Sequence, residues 1–399
     1  MKKGFSLILS LITFAIIEII IVSIFGIVEN EARMTIRKAD STILFYAAEA
    51  GIEQAKCYVK EIPGWLENGG TNPSIVNSQF GSATVTVTVS DNSDSDGFYT
   101  ITSRATWQNS PLTRSISIKA KPPVRSSMSQ FMFFIDAAHL NIGTGAEVWG
   151  KVHSNRNINI FGGGAIFHDE VTAHNKIIFY EGANRSNTIF EKGYQEDVPQ
   201  IPMPEITSLN ELRQYAIQDN FYFQRPISIE LLPTGQVKIN NSAPLSLPQN
   251  GVIFCERDID IKGTLNGLLT VVSMGTINII GNLIYLDPNL PPPDGGDLLG
   301  LIANNHIYIP QSAPYNLEIN AALFARQGKA YCFLGDRRGT LIIKGSLATS
   351  QLSYFSSTSG HGYSIRKYYF DERFRTYAPP HFVHFETYYF KDWKDMGEQ

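Results

Sequence analysis

The feature that most constrains this chain is an apolar run near its N-terminus, from Phe5 to Val28. At about 1.5 Å per helical residue, the run is long enough to cross the ~30 Å hydrocarbon core of a bilayer. Lys2 and Lys3 precede it, so the positive-inside rule leaves the N-terminus in the cytoplasm and the rest of the chain outside. No second run of this length occurs in the sequence, which predicts a single membrane span.

The residues after the apolar run extend the same helix. The chain has no proline before Pro63, and the segment from Glu29 to Lys60 alternates apolar and polar residues at helical spacing. Apolar residues recur three or four positions apart, at Ala32, Ile36, Ala39, Ile43, Ala47 and Ala50. This spacing predicts an amphipathic helix over residues 29–60, continuous with a membrane helix over residues 5–28. Together the two segments would be roughly 80 Å long.

Two motifs lie within this helix. Residues 2–7 read Lys-Lys-Gly-Phe-Ser-Leu and resemble the leader of a type IV prepilin, which would comprise residues 1–4. Residues 31–34 (Glu-Ala-Arg-Met) and 46–53 (Tyr-Ala-Ala-Glu-Ala-Gly-Ile-Glu) resemble the N-terminal domain of PilX-type minor pilins. The residues that carry this second resemblance are Glu31, Arg33, Met34, Ala48, Glu49, Ala50, Gly51 and Glu53.

The leader implies cleavage between Gly4 and Phe5, with methylation of Phe5 as the new N-terminus. The alternative is an ordinary signal anchor that is not cleaved there. The sequence departs from major pilins at Leu9, because the fifth residue after the cleavage site is usually Glu in that family. The acid within the run is Glu18, which is costly in hydrocarbon and is a candidate for contact with a positive group on a neighbouring pilin helix. A protonated, unpaired Glu18 is the alternative.

The resemblance implies a structural role rather than an enzyme activity, and it implies no cofactor. A PilX-like minor pilin or pseudopilin would stand at the tip or initiation point of a type IV pilus or of a type II secretion-like filament, with a contribution to adhesion. Its partners would be other pilins or pseudopilins and the prepilin peptidase. It would be anchored in the cytoplasmic (inner) membrane of a bacterium, with its ectodomain outside the cytoplasm.

A small sheet is expected next, over residues 80–120. Residues 61–79 are rich in Gly, Pro and Asn and predict a loop. Three strand-like segments follow, from Ala83 to Val89, from Phe98 to Trp107 and from Leu112 to Ala120. A three-stranded meander on the amphipathic helix is the head that a pilin would have. Residues 121–127, with two prolines, predict a linker.

Residues 128–360 form a repetitive β region. Short Ile- and Val-rich segments align in pairs: Asp258–Gly263 with Thr276–Gly281 at an offset of 18, Val152–Ile160 with Val171–Phe179 at an offset of 19, and Val271–Ile279 with Leu301–Ile309. Repeats of this length with small or polar corners predict a β-helix, or solenoid. An ordinary β-sandwich or barrel is the alternative. The fold class is therefore mainly β, behind a long N-terminal helix and a small pilin-like sheet.

Two insertions and an aromatic end complete this organisation. Residues 204–218 predict a short helix, in which Ser208 and Glu211 form a capping box. Residues 287–297 are a Pro- and Gly-rich loop. Residues 361–399 are rich in Tyr and Phe and predict a cap on the end of the solenoid; Tyr368–Phe374 and the Pro379-Pro380 pair also resemble the end of PilX-type proteins with a β-helical ectodomain. A surface that binds glycan is the alternative role for this aromatic stretch.

Composition excludes three classes of protein. The 399 residues suffice for two or three domains, and the net charge of −4 is unlike that of a nucleic-acid-binding protein. Hydrophobic residues make up 43% of the chain, which excludes a disordered protein. Three cysteines are too few for a disulfide scaffold. The spacing of Cys57, Cys255 and Cys332 leaves a Cys255–Cys332 disulfide undecided.

No strong catalytic or metal-binding motif occurs in the sequence, which therefore predicts neither a catalytic residue nor a metal site. His381 and His384, near Glu386, would face opposite sides of a strand, so a metal site is disfavoured. Asn92, Asp94, Asp96 and Gly97 match the start of a calcium loop, but Ser103 stands where a bidentate Glu belongs. A plain hairpin loop is favoured there.

Surface acids of the solenoid provide the alternative function. Asp258 and Asp260 lie on one face of a predicted coil, near Arg257 and Lys262. Polysaccharide lyases with β-helix folds use such acids, although stacked surface acids are also ordinary solvation and a fold alone does not imply a function. The alternative is thus a membrane-anchored β-helix protein that binds or cleaves extracellular polysaccharide, with a surface glycan as its ligand.

Overall fold

The computed structural model describes residues 2–91, 97–107, 111–143, 145–205, 207–357 and 359–398. The chain divides into two compact units. Unit 1 comprises Met1–Val124 and Thr387–Gln399, and unit 2 comprises Arg125–Glu386. Unit 2 is therefore inserted into the chain of unit 1, which resumes for its last residues after the β-rich insertion ends.

Unit 1 begins with one continuous helix, α1 (Lys2–Glu61). Every described side chain from residue 9 to residue 39 is exposed, and burial begins at Leu44. The buried face is then Leu44, Ala47, Ala48, Gly51, Ile52, Ala55 and Val59. The stripe predicted from sequence is only partly this face, since Ile36 and Ile43 are exposed. The difference arises because the sheet of unit 1 buries side chains of the helix only from Leu44 onwards.

The sheet of unit 1 has five strands in the order β1, β2, β3, β4, β29. Their bounds are β1 (Ser78–Phe80), β2 (Ala83–Asp91), β3 (Tyr99–Trp107), β4 (Thr113–Ser127) and β29 (His384–Glu398). The first four pair antiparallel as a meander. Inward-facing residues such as Val85, Ile101 and Ile116 join α1 and Trp65 in one core.

Two predictions about the strands of unit 1 are wrong. The expected linker over residues 121–127 is the end of β4, in which both prolines lie beyond Ala120, the last residue paired with β3. Pro cannot donate to a ladder, but it is tolerated where no ladder bond is needed. The expected cap over residues 361–399 is divided, because residues 387–398 form most of β29 beside β4. There Tyr388 and Phe390 pack against the core of unit 1.

Unit 2 consists mainly of short strands. Before its helix these are β5 (Phe131–Ile135), β6 (His139–Ile142), β7 (Ala146–Val148), β8 (Lys151–Ser154), β9 (Asn157–Phe161), β10 (Ala165–Phe167), β11 (Val171–Ala173), β12 (Ile177–Tyr180), β13 (Ile189–Phe190) and β14 (Tyr194–Gln195). After the helix α2 (Thr207–Gln218) they are β15 (Tyr222–Phe223), β16 (Ile227–Leu232), β17 (Gln236–Ile239), β18 (Leu245–Ser246), β19 (Val252–Cys255), β20 (Ile259–Leu265), β21 (Leu268–Ser273), β22 (Ile277–Tyr285), β23 (Leu298–Ala303), β24 (Ile307–Ile309), β25 (Leu317–Ala325), β26 (Ala330–Cys332), β27 (Arg337–Thr349) and β28 (Gly362–Phe370). Short 3₁₀ turns occupy Met128–Gln130, Pro292–Asp294 and Glu372–Arg375.

Most of these strands stack as parallel ladders of successive coils. Val171 lies opposite Val152, which is the offset of 19 seen in the sequence. Asp260 lies opposite Asn278, at the offset of 18. Val271 lies opposite Leu301, so the third pair of repeats also forms ladder neighbours. Parallel, in-register pairing of successive coils is the pairing of a β-helix, and the predicted fold class is confirmed.

The coils are not stacked in sequence order. β5, β8, β11 and β14 build one stack in chain order. After α2 the chain builds a second stack, in which β19, β21, β23, β25 and β27 follow one another. β27 then pairs in parallel with β5, with Leu347 opposite Phe133. The last coil of the second stack thus lies against the first coil of the first stack.

The insertions keep their predicted places with adjusted bounds. The helix predicted over residues 204–218 is α2, at Thr207–Gln218, and the side chain of Ser208 lies outside the described side chains. In the loop over residues 287–297, Asp297 is fully buried and accepts hydrogen bonds from the backbone N–H of Gly267 (2.6 Å) and of Asp287 (2.7 Å). That carboxylate fixes both ends of the loop to the neighbouring coil.

Candidate functional site

The first candidate site is the exposed half of α1. Large apolar side chains cover its whole circumference, and Phe14, Val22 and Phe25 are each at least 70% exposed. Among the described residues, this is the one helix that is long and apolar enough to cross a membrane. A helix that is apolar all round is stable only when lipid or other helices surround it.

Polar groups in the apolar half of α1 are satisfied within the helix. The hydroxyl of Thr13 donates to the carbonyl of Leu9 (3.0 Å), and that of Ser23 donates to the carbonyl of Ile19 (2.7 Å). Such local bonds give these two hydroxyls partners without water, as hydrocarbon requires. Glu18 is the charged residue in this segment, and its side chain is exposed.

The polar half of α1 begins with an ion pair. Arg33 Nη2 lies 2.6 Å from Glu29 Oε1, one helical turn away. Glu31 and Met34 are exposed on the same helix. The Glu-Ala-Arg-Met motif therefore marks the boundary between the apolar segment and the polar segment, and its four side chains are exposed.

The second motif divides between packing and solvent. Ala48 and Gly51 are buried against the sheet, Glu49 and Ala50 are half-buried, and Glu53 is exposed with its carboxylate 2.6 Å from Lys56 Nζ. A β-carbon on Gly51 would lie 2.3 Å from Ser103 Oγ and 2.7 Å from Val85 Cγ1. Only glycine permits so close an approach of helix and sheet. The small residues of this motif thus have a packing role in unit 1.

The leader residues lie at the start of α1. Gly4 and Phe5 belong to the helix by their backbone, and their side chains are not among those described. The calcium-loop candidates Asn92, Asp94 and Asp96 lie outside the described residues, and Gly97 borders them.

The remaining sequence candidates have structural partners. His381 stacks on Tyr215 with ring centroids 4.0 Å apart, and burial lowers the pKa of His384, assisted by the charge of Arg125. His381 has a positive φ of 52° and precedes β29, so the premise that it shares a strand with His384 is wrong. No cluster of metal-ligating side chains occurs among the described residues.

The surface acids hold the coils together. Asp258 Oδ1 accepts a hydrogen bond from the backbone N–H of Thr276 (2.7 Å), and Asp260 Oδ1 accepts one from Asn278 Nδ2 (2.8 Å). Both donors belong to the next coil. Lys262, the nearby base, lies 4.0 Å from Glu230 on the preceding coil. These contacts give both acids a structural role as bonds between successive coils.

The three cysteines are free thiols. Cys57 is exposed, whereas Cys255 and Cys332 are buried in unit 2. The thiol of Cys255 donates to the carbonyl of Arg225 (3.1 Å), and that of Cys332 donates to the carbonyl of Phe355 (3.2 Å). Burial raises the pKa of both thiols, so both behave as small apolar core residues.

The second candidate site, which the sequence did not indicate, is a cleft of about 1060 Å³ in unit 2. Its walls are the coil that contains β6 and β7 on one side, and residues 352–357 with β28 on the other. Trp149, Ile365 and Tyr369 are partly exposed along it. The repeat pattern identified equivalent segments, but the cleft depends on which coil stacks on which, and that information is not local.

Comparisons with known proteins add little. The sequence matches no family model and no curated protein. One similar solved structure is that of the competence-associated pilin ComZ from Thermus thermophilus, at 12% identity and a TM-score of 0.35, over 90% of this chain and 97% of that one. The identity and the TM-score are too low to show that the two chains share a fold.

Proposed function

We propose that this protein is a membrane-anchored, pilin-like structural subunit. One observation carries the proposal: a single 60-residue helix is apolar and exposed up to Val28 and packs against a small antiparallel sheet from Leu44 to Val59. In water the exposed half would be unstable, because apolar surface is costly at about 25 cal/mol per Å². The helix therefore resides in the membrane before assembly and lies among the helices of other subunits afterwards.

The finer assignment is to the PilX-like minor pilins or pseudopilins, at the tip or initiation point of a type IV pilus or related filament. It is supported by the Lys-Lys-Gly-Phe leader, by the motifs at residues 31–34 and 46–53, and by Leu9 in place of a glutamate. In this assignment the prepilin peptidase cleaves after Gly4, Phe5 is methylated, and Glu18 contacts a positive group of a neighbouring helix. Unit 2 is displayed outside the cytoplasm and has no enzyme activity.

Site-specific photo-crosslinking tests the assembly. A photoreactive amino acid replaces Val22, which is 71% exposed on the apolar segment. A matched control replaces Tyr315, which is 64% exposed on unit 2. The expected result is a covalent adduct from position 22 to the apolar N-terminal helix of another subunit, recovered in sheared surface filaments. Adducts only to lipid, together with absence of the protein from sheared filaments, would contradict the proposal.

A further inference from the structure

Two coils of unit 2 that are neighbours in space, but not in the sequence, pair on one face only. The coil with β5, β6 and β7 lies next to the coil with β27 and β28, and β5 pairs with β27. Among the described residues, β6 pairs only with β9, and β7 pairs only with β10. In the part of the chain that the structure describes, β28 pairs along one edge with β27 and makes one further bridge, from Gly362 to Ser356. The ladder is therefore closed at β5 and open at the other two faces.

The cleft of about 1060 Å³ opens between these unpaired strands. Consecutive residues line it, namely 140–143 and 145–149 on one wall, and 352–357 and 364–369 on the other. Successive side chains of a strand point to opposite faces, so a cleft that lies over one face of a strand is lined by only every second residue. Lining by consecutive residues indicates that β6, β7 and β28 present their edges to the cleft.

Open strand edges favour a particular class of ligand. Each edge carries backbone N–H and C=O groups without a ladder partner, and such groups template the addition of another strand. Recognition by strand addition takes its affinity from main-chain hydrogen bonds and its specificity from pockets for alternate side chains. A sugar would use the side chains of the cleft and leave the edges unpaired.

The size of the cleft fits a short strand. A strand residue occupies about 3.3 Å along the chain, 4.8 Å across the ladder and 10 Å through the sheet, or roughly 160 Å³. A cleft of about 1060 Å³ therefore holds about six or seven such residues. This length matches the six consecutive residues of β28 that line it, 364–369.

The side chains of the cleft define the chemistry of the segment. Ile365, Tyr369 and Trp149 offer partly exposed apolar surface, which suits apolar side chains at alternate positions. Arg366 and Lys367 are exposed between them and form no ion pair with any residue that the structure describes. Arg366 donates a hydrogen bond to the backbone carbonyl of Tyr363, at 2.8 Å. The two side chains point to opposite faces of β28, so a carboxylate on the segment would be attracted to one of the two cations.

We propose that the cleft binds an extended segment of a partner polypeptide by strand addition. The segment alternates apolar residues with polar ones and places an Asp or Glu beside Arg366 or beside Lys367. This assignment does not depend on how α1 is anchored or assembled, because every residue of the cleft belongs to unit 2.

A displayed library of random short peptides, selected on the detergent-solubilised full chain, tests the proposal. Enriched peptides should alternate apolar and polar residues and carry an acid. Their affinity should fall about tenfold, or about 1.4 kcal/mol, for the variant Arg366→Glu with Lys367→Glu. The control variant Arg156→Glu changes an exposed arginine outside the cleft and should bind as the unaltered chain does.

Two further readouts separate strand addition from other binding. N-methylation of alternate peptide amides leaves the protein unchanged and should abolish binding, because it removes the ladder donors. Hydrogen exchange should slow in at least one of β6, β7 and β28 when the peptide binds. The proposal is overturned if no enriched peptide is sensitive to the double variant, or if N-methylated peptides bind equally well. It is also overturned if an oligosaccharide panel yields binding that is lost in Trp149→Ala, which would assign the cleft to a glycan.

Discussion

The packing of Gly51 predicts that a Gly→Ala substitution in this helix destabilises the protein, which is the opposite of its usual effect in a helix. Replacing Gly by Ala in an exposed helix stabilises it by about 1 kcal/mol. In this protein the new β-carbon would lie 2.3 Å from Ser103 Oγ and 2.7 Å from Val85 Cγ1, both closer than ordinary van der Waals contact. We therefore expect Gly51→Ala to destabilise unit 1.

The size of the effect follows from two opposing contributions. Overpacking a tight interface costs roughly 1–3 kcal/mol. The gain in helix propensity offsets about 1 kcal/mol of that cost. The net loss in the free energy of unfolding should be about 1 kcal/mol. Ser103 Oγ is buried and has no hydrogen-bond partner among the described residues, so Ser103→Ala alone should cost nothing.

Tryptophan fluorescence during urea unfolding of the detergent-solubilised chain measures this loss. Three of the four tryptophans, Trp65, Trp107 and Trp393, belong to unit 1, so a Trp149→Phe background reports unit 1 alone. The control is Glu53→Ala, which changes an exposed side chain two residues after Gly51 on the same helix. It should change the free energy of unfolding by less than about 0.5 kcal/mol.

A double-mutant cycle tests the cause. Gly51→Ala combined with Ser103→Ala should recover about 0.5–1 kcal/mol relative to the sum of the single changes, because it removes the shorter of the two contacts. If Gly51→Ala instead stabilises unit 1 by about 1 kcal/mol, as it would in an exposed helix, the close approach of helix and sheet is wrong.

Three further predictions concern unit 2. Asn155 is buried and its amide makes four hydrogen bonds, to Asp136, to His153 and to both backbone groups of Ile201, so Asn155→Ala should cost about 3 kcal/mol in thermal or chemical unfolding. Asn289→Ala, at an exposed position of unit 2, should cost less than about 0.5 kcal/mol, and equal losses would refute the role of Asn155. Gly263 has a φ of +123°, and a β-carbon there would lie 2.1 Å from the carbonyl oxygen of Leu231. Gly263→Ala should therefore destabilise unit 2 by about 2 kcal/mol more than Gly193→Ala, since Gly193 shares a positive φ but has open space. Equal unfolding midpoints for the two variants would contradict this prediction. Burial alone would lower the pKa of His168, but hydrogen bonds to Glu191 and Glu147 raise it. The contribution of His168 to stability is therefore complete below about pH 6.5 and is lost as pH rises through the raised pKa. An NMR titration should give His168 a lower pKa in Glu191→Gln, and an unchanged pKa would refute the pairing.

How much the sequence predicted depended on how local each feature is. The helix, the strands of the meander and the three repeat offsets are local or periodic, and the pairs Val152 with Val171, Asp260 with Asn278 and Val271 with Leu301 appear in the structure as aligned. The place of β29 beside β4 joins segments far apart in the chain, and no periodicity records such a pairing.

The order of the coils was unpredictable for the same reason. A repeat pattern identifies equivalent positions, but any coil end could stack on any other. The pairing of β27 with β5, which runs from Leu347 opposite Phe133 to Thr349 opposite Ile135, joins the last coil of the solenoid to its first coil. The cleft follows from that closure, so neither Trp149 nor Arg366 carried a signal in the sequence.

The central claim, that this chain is a processed pilin-like subunit, is tested most directly by the N-terminus of the mature protein. Intact mass and N-terminal peptide analysis of the protein purified from its own membrane should show loss of residues 1–4 and a methyl group on the amine of Phe5. A chain that still begins at Met1, or one cut well after Val28, would contradict the claim.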